Sequence, residues 1–208
     1  MDENNAHNKY IPVITIMLLI ANSLVFIVQC ILGGSENTDV LLKMGAAYTP
    51  FILENGEWYR LFTAMFLHIG VQHLLYNMLA LFAAGQYIEQ YFGKVRYIIL
   101  YLLSGIAGNV LSLIIELRFS HIFAVSAGAS GAISGLFGAM VILALDPKMR
   151  KTFPLPRVLF GLLFLLLPGN DSDNINIIAH LGGMICGFII ALVYYKTSSF
   201  SIDESPLE

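Results

Sequence analysis

Three small groups of polar residues stand inside otherwise greasy stretches of this chain. They are Gly128-Ala129-Ser130-Gly131, His180 within Ala179-His180-Leu181-Gly182-Gly183, and the pair His73 and Asn77. A serine hydroxyl becomes a nucleophile when a neighbouring base takes its proton, and an imidazole is a suitable base. His73 and Asn77 stand four residues apart, on one face of a helix, and both can donate hydrogen bonds. Such donors stabilise the oxyanion formed in acyl transfer. The chemistry that fits is attack by Ser130 on a carbonyl, with His180 as base. His73, Asn77 and the Ser130 backbone N–H would form the oxyanion hole.

Each group also has a plainer reading. A serine among glycines eases helix packing, and His73 with Asn77 could be an interhelical clasp worth roughly 0.6 kcal/mol per contact. Against mere packing, glycine on both sides of Ser130 lets backbone approach a substrate, and a helix start offers free N–H groups to an oxyanion. An ionisable residue within a span is costly to place, which makes His180 a functional candidate. The Gly-x-Ser-x-Gly elbow of soluble hydrolases is not met, because residue 132 is Ala. Glu89, Glu116 and Asp146 sit at segment ends, so no carboxylate is expected to orient His180. The expectation is a Ser–His dyad, its ring held by packing or a neutral hydrogen bond. His68, His73 and His180 lack Cys, Asp or Glu partners and a His-Glu-x-x-His motif. Neither a metal nor a cofactor is expected, and substrate-binding residues are not identifiable.

The elements that must position these groups are membrane helices. The chain is 57% hydrophobic and only 12% charged, with a mean hydropathy of +0.75. That composition marks an all-α integral membrane protein and excludes a nucleic-acid binder, since no basic run exists. Six apolar segments can be drawn, at about 11–32, 69–91, 97–116, 129–145, 157–168 and 175–195. The first run is too long for a signal h-region and lacks a cleavage site, so it is expected to stay as a span. Residues 1–10 read as a short cytoplasmic N-terminus, 11–196 as one transmembrane domain and 197–208 as a polar cytoplasmic tail. Cys30 and Cys186, in separate apolar segments, are expected to pack as small hydrophobes.

Cationic residues fix the orientation. With both termini cytoplasmic, Lys9, Lys94, Arg96, Lys148, Arg150, Lys151, Arg157 and Lys196 lie inside, against Lys43, Arg60 and Arg118 outside. The second, fourth and sixth segments then run inward from the outer face. His73, Ser130 and His180 all lie early in those segments and so at similar depth. The fourth helix from Ser130 to Leu145 is about 24 Å long, short of the roughly 30 Å hydrocarbon core. The connection 118–127 is therefore expected to dip inward and leave Ser130 at the floor of an aqueous cavity. Glycine stripes on the fourth segment (Gly131, Gly135, Gly138) and the sixth (Gly183, Gly187) allow these helices to approach closely.

These residues resemble the rhomboid family of intramembrane serine proteases. Trp58-Tyr59-Arg60 is similar to its first-loop Trp-Arg motif. His68, His73 and Asn77 resemble its second-helix pattern, and Gly85, Glu89 and Gly93 its Gly-x-x-x-Glu-x-x-x-Gly turn. Gly128 to Gly131 resembles its nucleophile motif, and Ala179-His180 with Gly183 and Gly187 its sixth-helix motif. The resemblance implies a rhomboid-like bundle of six transmembrane helices and a serine endopeptidase that cuts single-pass transmembrane substrates in the lipid bilayer. It also implies lateral substrate access past the fifth helix, capped by residues 168–176. One position departs from the pattern: Ser134 stands where an aromatic often stacks on the histidine. The alternative is a non-catalytic rhomboid-like protein that escorts membrane clients, disfavoured because Ser130 and His180 are both retained. Coupled transport is disfavoured by the lack of repeats and of charges within the spans.

Overall fold

The computed structural model describes residues 10–119, 123–147, 149–165 and 176–197. These residues are helical apart from their connections and one isolated antiparallel bridge, Ala47 with Ser126. The long helices are α1 (Val13–Ile31), α5 (Val71–Phe92), α6 (Lys94–Phe119), α7 (Ser130–Leu145) and α9 (Ile177–Thr197), with a shorter α8 (Leu155–Leu165). Between α1 and α5 lie α2 (Thr38–Lys43), α3 (Thr49–Glu54), α4 (Arg60–Thr63) and a 3-10 turn (Ala64–Phe66). In the sequence that whole stretch, between the first and second apolar segments, reads as a connection. Its short helices have ordinary local causes. The Asn37 side chain accepts the Asp39 N–H at the start of α2, and Pro50 stands in the first turn of α3.

Helices α1, α6 and α9 are each long and apolar enough to cross a membrane. A fourth such element arises if α5 is counted with the Arg60–Phe66 piece, from which it is bent by 91°. Helix α7 is apolar but shorter, at 16 residues.

Helix α1 shows the inversion expected of a chain whose solvent is lipid. Its polar residues Thr15, Asn22 and Gln29, spaced by seven, are buried. Its large apolar residues Met17, Ile20, Leu24, Ile27 and Ile31 are exposed. Helix α7 has no outward face: thirteen of its sixteen residues are buried, which is what a helix apolar all round requires. It packs on α6, α9, α5 and α8, and its pairing with α9 is the most extensive in the fold.

Backbone meets backbone along that pairing. A Cβ on Gly183 would collide with the Gly131 carbonyl, and one on Gly187 with the Gly135 carbonyl. Helix α6 closes on α9 in the same manner, where a Cβ on Gly182 would stand 3.1 Å from the Ala107 oxygen. Cys30 is exposed and Cys186 half-buried, and both are free thiols.

Glu89 was expected at a segment end. It lies within the last turn of α5 and is fully buried. Its carboxylate accepts the Ile14 N–H at 3.0 Å and the Thr15 N–H at 2.8 Å, and the Thr15 hydroxyl donates to it as well. It therefore supplies, from another helix, the acceptor that the start of α1 lacks after Pro12.

Candidate functional site

The segment before α7 is pinned at two points. Ala47 and Ser126 exchange backbone hydrogen bonds at 2.9 Å in each direction, and the Gly128 N–H donates to the Ala64 carbonyl at 2.9 Å. Gly128 has φ +145°, a conformation that favours glycine. It also has no room for a side chain, since a Cβ would stand 2.8 Å from His73 Cε1 and 2.9 Å from His73 Nε2. The same point is 3.6 Å from Ser130 Oγ. The edge of the His73 ring, the backbone of Gly128 and the Ser130 hydroxyl thus share one small volume.

Ser130 is the first residue of α7 and is half-buried. The first intrahelical bond runs from Ile133 N–H to Ala129 O. The amides of Ser130, Gly131 and Ala132 precede it and carry the positive end of the helix dipole. A negatively charged oxygen beside Ser130 would be stabilised there.

His73 lies in the first turn of α5. Its Nδ1 accepts the Ile69 N–H at 3.4 Å. An accepting Nδ1 leaves the proton of a neutral ring on Nε2, the atom that faces Gly128. Asn77, one turn on, is buried. Its Nδ2 donates to the His73 carbonyl at 2.8 Å, while Oδ1 has no partner. One N–H of that amide remains for another acceptor.

His180 closes the first turn of α9 and is buried. Across the seam, a Cβ on Gly131 would be 3.4 Å from the Ala179 carbonyl, so the residue after Ser130 backs onto the residue before His180. Among the described residues no hydrogen bond joins Ser130 Oγ to the His180 ring. His180 Nδ1 is buried without a hydrogen-bond partner among the described residues. Ser134 is fully buried with its hydroxyl also unpartnered, and so puts neither an aromatic nor a hydrogen bond on His180.

Other residues hold the segments around these groups: His68 and Arg60, which the sequence motifs already include, and Gln29 and the cap at Asn176, which the sequence did not single out. Gln29 of α1 clamps the chain at His68: its Nε2 donates to the His68 carbonyl and its Oε1 accepts the His68 N–H, both at 3.0 Å. The buried His68 ring meets His73 edge-on at 5.3 Å. Arg60 is buried and donates to the carbonyls of Leu42 and Ala46 and to the Glu57 carboxylate. It thereby ties the chain before α3 to that before α4. Asn176 precedes α9 and accepts the Ala179 N–H on its side chain at 2.9 Å. An Asn directly before an apolar run, and polar residues repeating every seven in α1, were the available signals. Residues 168–175 of the expected capping element lie outside the described residues. Among the described residues, no group of three or more His, Cys, Asp or Glu is arranged to hold a metal.

Residues 55–197 match the family model described as the Rhomboid domain. The chain is 36% identical over 181 residues to the protein named Rhomboid protease GluP of Bacillus subtilis, covering 86% of this chain and 34% of that protein. It is 37% identical over 166 residues to RHOMBOID-like protein 1 of Arabidopsis thaliana, covering 79% of this chain and 41% of that one. It is 27% identical over 189 residues to Rhomboid-like protease 3 of Toxoplasma gondii, covering 87% and 69%. The chain thus spans well under half the length of the first two of these relatives.

Proposed function

The chain belongs to the rhomboid family, and from that premise we propose that it is an intramembrane serine endopeptidase. The observation that carries the reading is the volume shared by Ser130 Oγ, the His73 ring edge and the start of α7, beside the backbone seam that leads to His180.

In this reading Ser130 Oγ attacks the scissile carbonyl and His180 takes its proton. The Ser130 N–H, His73 Nε2–H and Asn77 Nδ2–H stabilise the tetrahedral oxyanion. Protonated His180 then gives its proton to the leaving amine. The acyl-enzyme is hydrolysed by water, which His180 activates in turn. No carboxylate takes part, so the dyad relies on packing of the histidine ring. Hydrogen bonds between a nucleophile and its base tighten when substrate binds, so the dyad reading does not require a Ser130–His180 bond beforehand.

The substrates are single-pass transmembrane proteins, cut near the outer membrane face. A transmembrane helix has its backbone hydrogen bonds satisfied internally. Substrates that unwind readily, through Gly or Pro near the cut, are therefore preferred. We place six crossings within residues 11–196 and both termini in the cytoplasm, on the distribution of Lys and Arg.

The test is cleavage of a fluorescent transmembrane substrate by the purified protein in lipid. Wild type should cut, and Ser130→Ala and His180→Ala should not. A fluorophosphonate probe should label wild type and not Ser130→Ala. Equal cutting by Ser130→Ala, or no cutting by wild type, removes the protease reading.

A further inference from the structure

Asn176 makes four hydrogen bonds, three through its side chain and one through its backbone carbonyl. Its side-chain Oδ1 accepts the Ala179 N–H at 2.9 Å, and its own carbonyl accepts the His180 N–H at 3.2 Å. The first of these contacts is an N-cap on α9, placed one turn before His180. It also settles which way the amide points. Only an oxygen can accept the Ala179 N–H, so Nδ2 is the atom directed away from the helix.

That Nδ2 donates to two hydroxyls on two other parts of the chain. Ser112 Oγ, on α6, is at 2.6 Å, and Ser126 Oγ is at 3.2 Å. Ser126 stands four residues before Ser130, in the pinned segment that leads into α7. One amide therefore binds the start of the helix that carries His180 to the segment that carries Ser130, with α6 as third anchor. The tie is partly buried, and a hydrogen bond gains strength as the surrounding dielectric falls below that of water.

We infer that Asn176 is a positioning residue that sets the register of His180 against Ser130 through Ser126 and Ser112. The inference rests on the protease reading. It assigns to Asn176 a task separate from capping. A cap needs only the acceptor; the donations to Ser112 and Ser126 are needed only to hold two segments together. His180 has no hydrogen bond on Nδ1 to orient it, so its placement depends on how α9 is seated.

The experiment separates the two tasks. Asn176→Ser keeps a good cap but is too short to reach either hydroxyl while capping. The double variant Ser112→Ala/Ser126→Ala keeps Asn176 and its cap but removes both acceptors. Both are compared with wild type for kcat, KM and unfolding temperature in the full chain. Misplacement of reacting groups by about 1 Å can cost roughly 100-fold in rate. We expect kcat to fall about 10- to 100-fold in each variant, with KM and unfolding temperature close to wild type. Combining them should cost less than the product of the separate losses.

Wild-type kcat in Asn176→Ser, or in the serine double variant should Asn176→Ser not fold, overturns the inference. So does a lowered unfolding temperature with unchanged turnover per fluorophosphonate-reactive molecule, which would make Asn176 a cap and nothing more. If wild type neither cuts nor labels at Ser130, the protease reading fails and takes this inference with it. If wild type cuts and the variants cut equally fast, only the inference about Asn176 is lost.

Discussion

The carbonyl oxygen of Gly131 rests against the Cα of Gly183, with no space between them for a methyl group. Ser130 is the neighbour of the first residue, and His180 lies one turn before the second. The distance between the two proposed reacting groups is thus governed by a contact of backbone on backbone. Gly183→Ala should push α9 off α7. Overpacking of this kind costs about 1–3 kcal/mol, so the unfolding temperature should fall. Fluorophosphonate labelling of the protein that remains folded should fall too. Leu181→Ala, at a position 43% exposed, is the control and should change neither much. Normal labelling in Gly183→Ala would mean the seam does not set the site.

Asn77 offers a sharper choice between chemistry and packing. As an oxyanion donor, its loss in Asn77→Ala should lower kcat by about 10²–10³ with little change in KM. As a helix clasp it would contribute roughly 0.6 kcal/mol to stability and nothing to turnover. Steady-state kinetics and thermal unfolding of one purified variant decide between them.

Glu89 should matter for folding and not for chemistry. In Glu89→Ala the Ile14 and Thr15 amides lose their acceptor at the start of α1. Leaving a buried polar group unsatisfied costs about 1–3 kcal/mol. Thr15→Val, which removes one hydroxyl and leaves both amide bonds, should cost less. Turnover per labelled Ser130 should be unchanged in both. A drop in turnover per site would show that α1 acts on the chemistry at a distance.

Acid should loosen the loop before α4. The hydrogen bond from Arg60 holds the Glu57 carboxyl below its ordinary range, with help from Tyr59 and Asn55. A folded-state pKa below the unfolded one adds stability above the ordinary carboxylate range. That stability is lost as the pH falls through the lowered value. The unfolding temperature of wild type should therefore drop on acidification more than that of Glu57→Gln. Parallel curves for the two proteins would show that the pair contributes nothing.

The stretches that hold the site were legible because their polar residues interrupt long apolar runs. Helices occur at the segments around His73, Ser130 and His180, with bounds shifted by a few residues. What the sequence did not disclose is mostly long-range pairing. Glu89 meets Thr15 across 74 residues, and Gln29 meets His68 across 39. Periodicity carries no information about which distant backbone a buried side chain will reach. Helices α2 to α4 were missed for a different reason: each is too short to display a period, although Asn37 and Pro50 mark two of them. The orientation of His180 was left between packing and a neutral hydrogen bond. Its unpartnered Nδ1 favours packing, a property of the assembled helices and not of any one stretch.

The cap on α1 has a consequence for the order of events during synthesis. Ile14 leaves the ribosome 75 residues before Glu89. At roughly 5–20 residues per second, the interval is several seconds. Throughout that time the leading amides of α1 lack the Glu89 carboxylate and must be served by other acceptors, such as water. Its final seating waits until α5 has been made. The newborn chain therefore passes through a stage in which its first helix has been made but its cap has not.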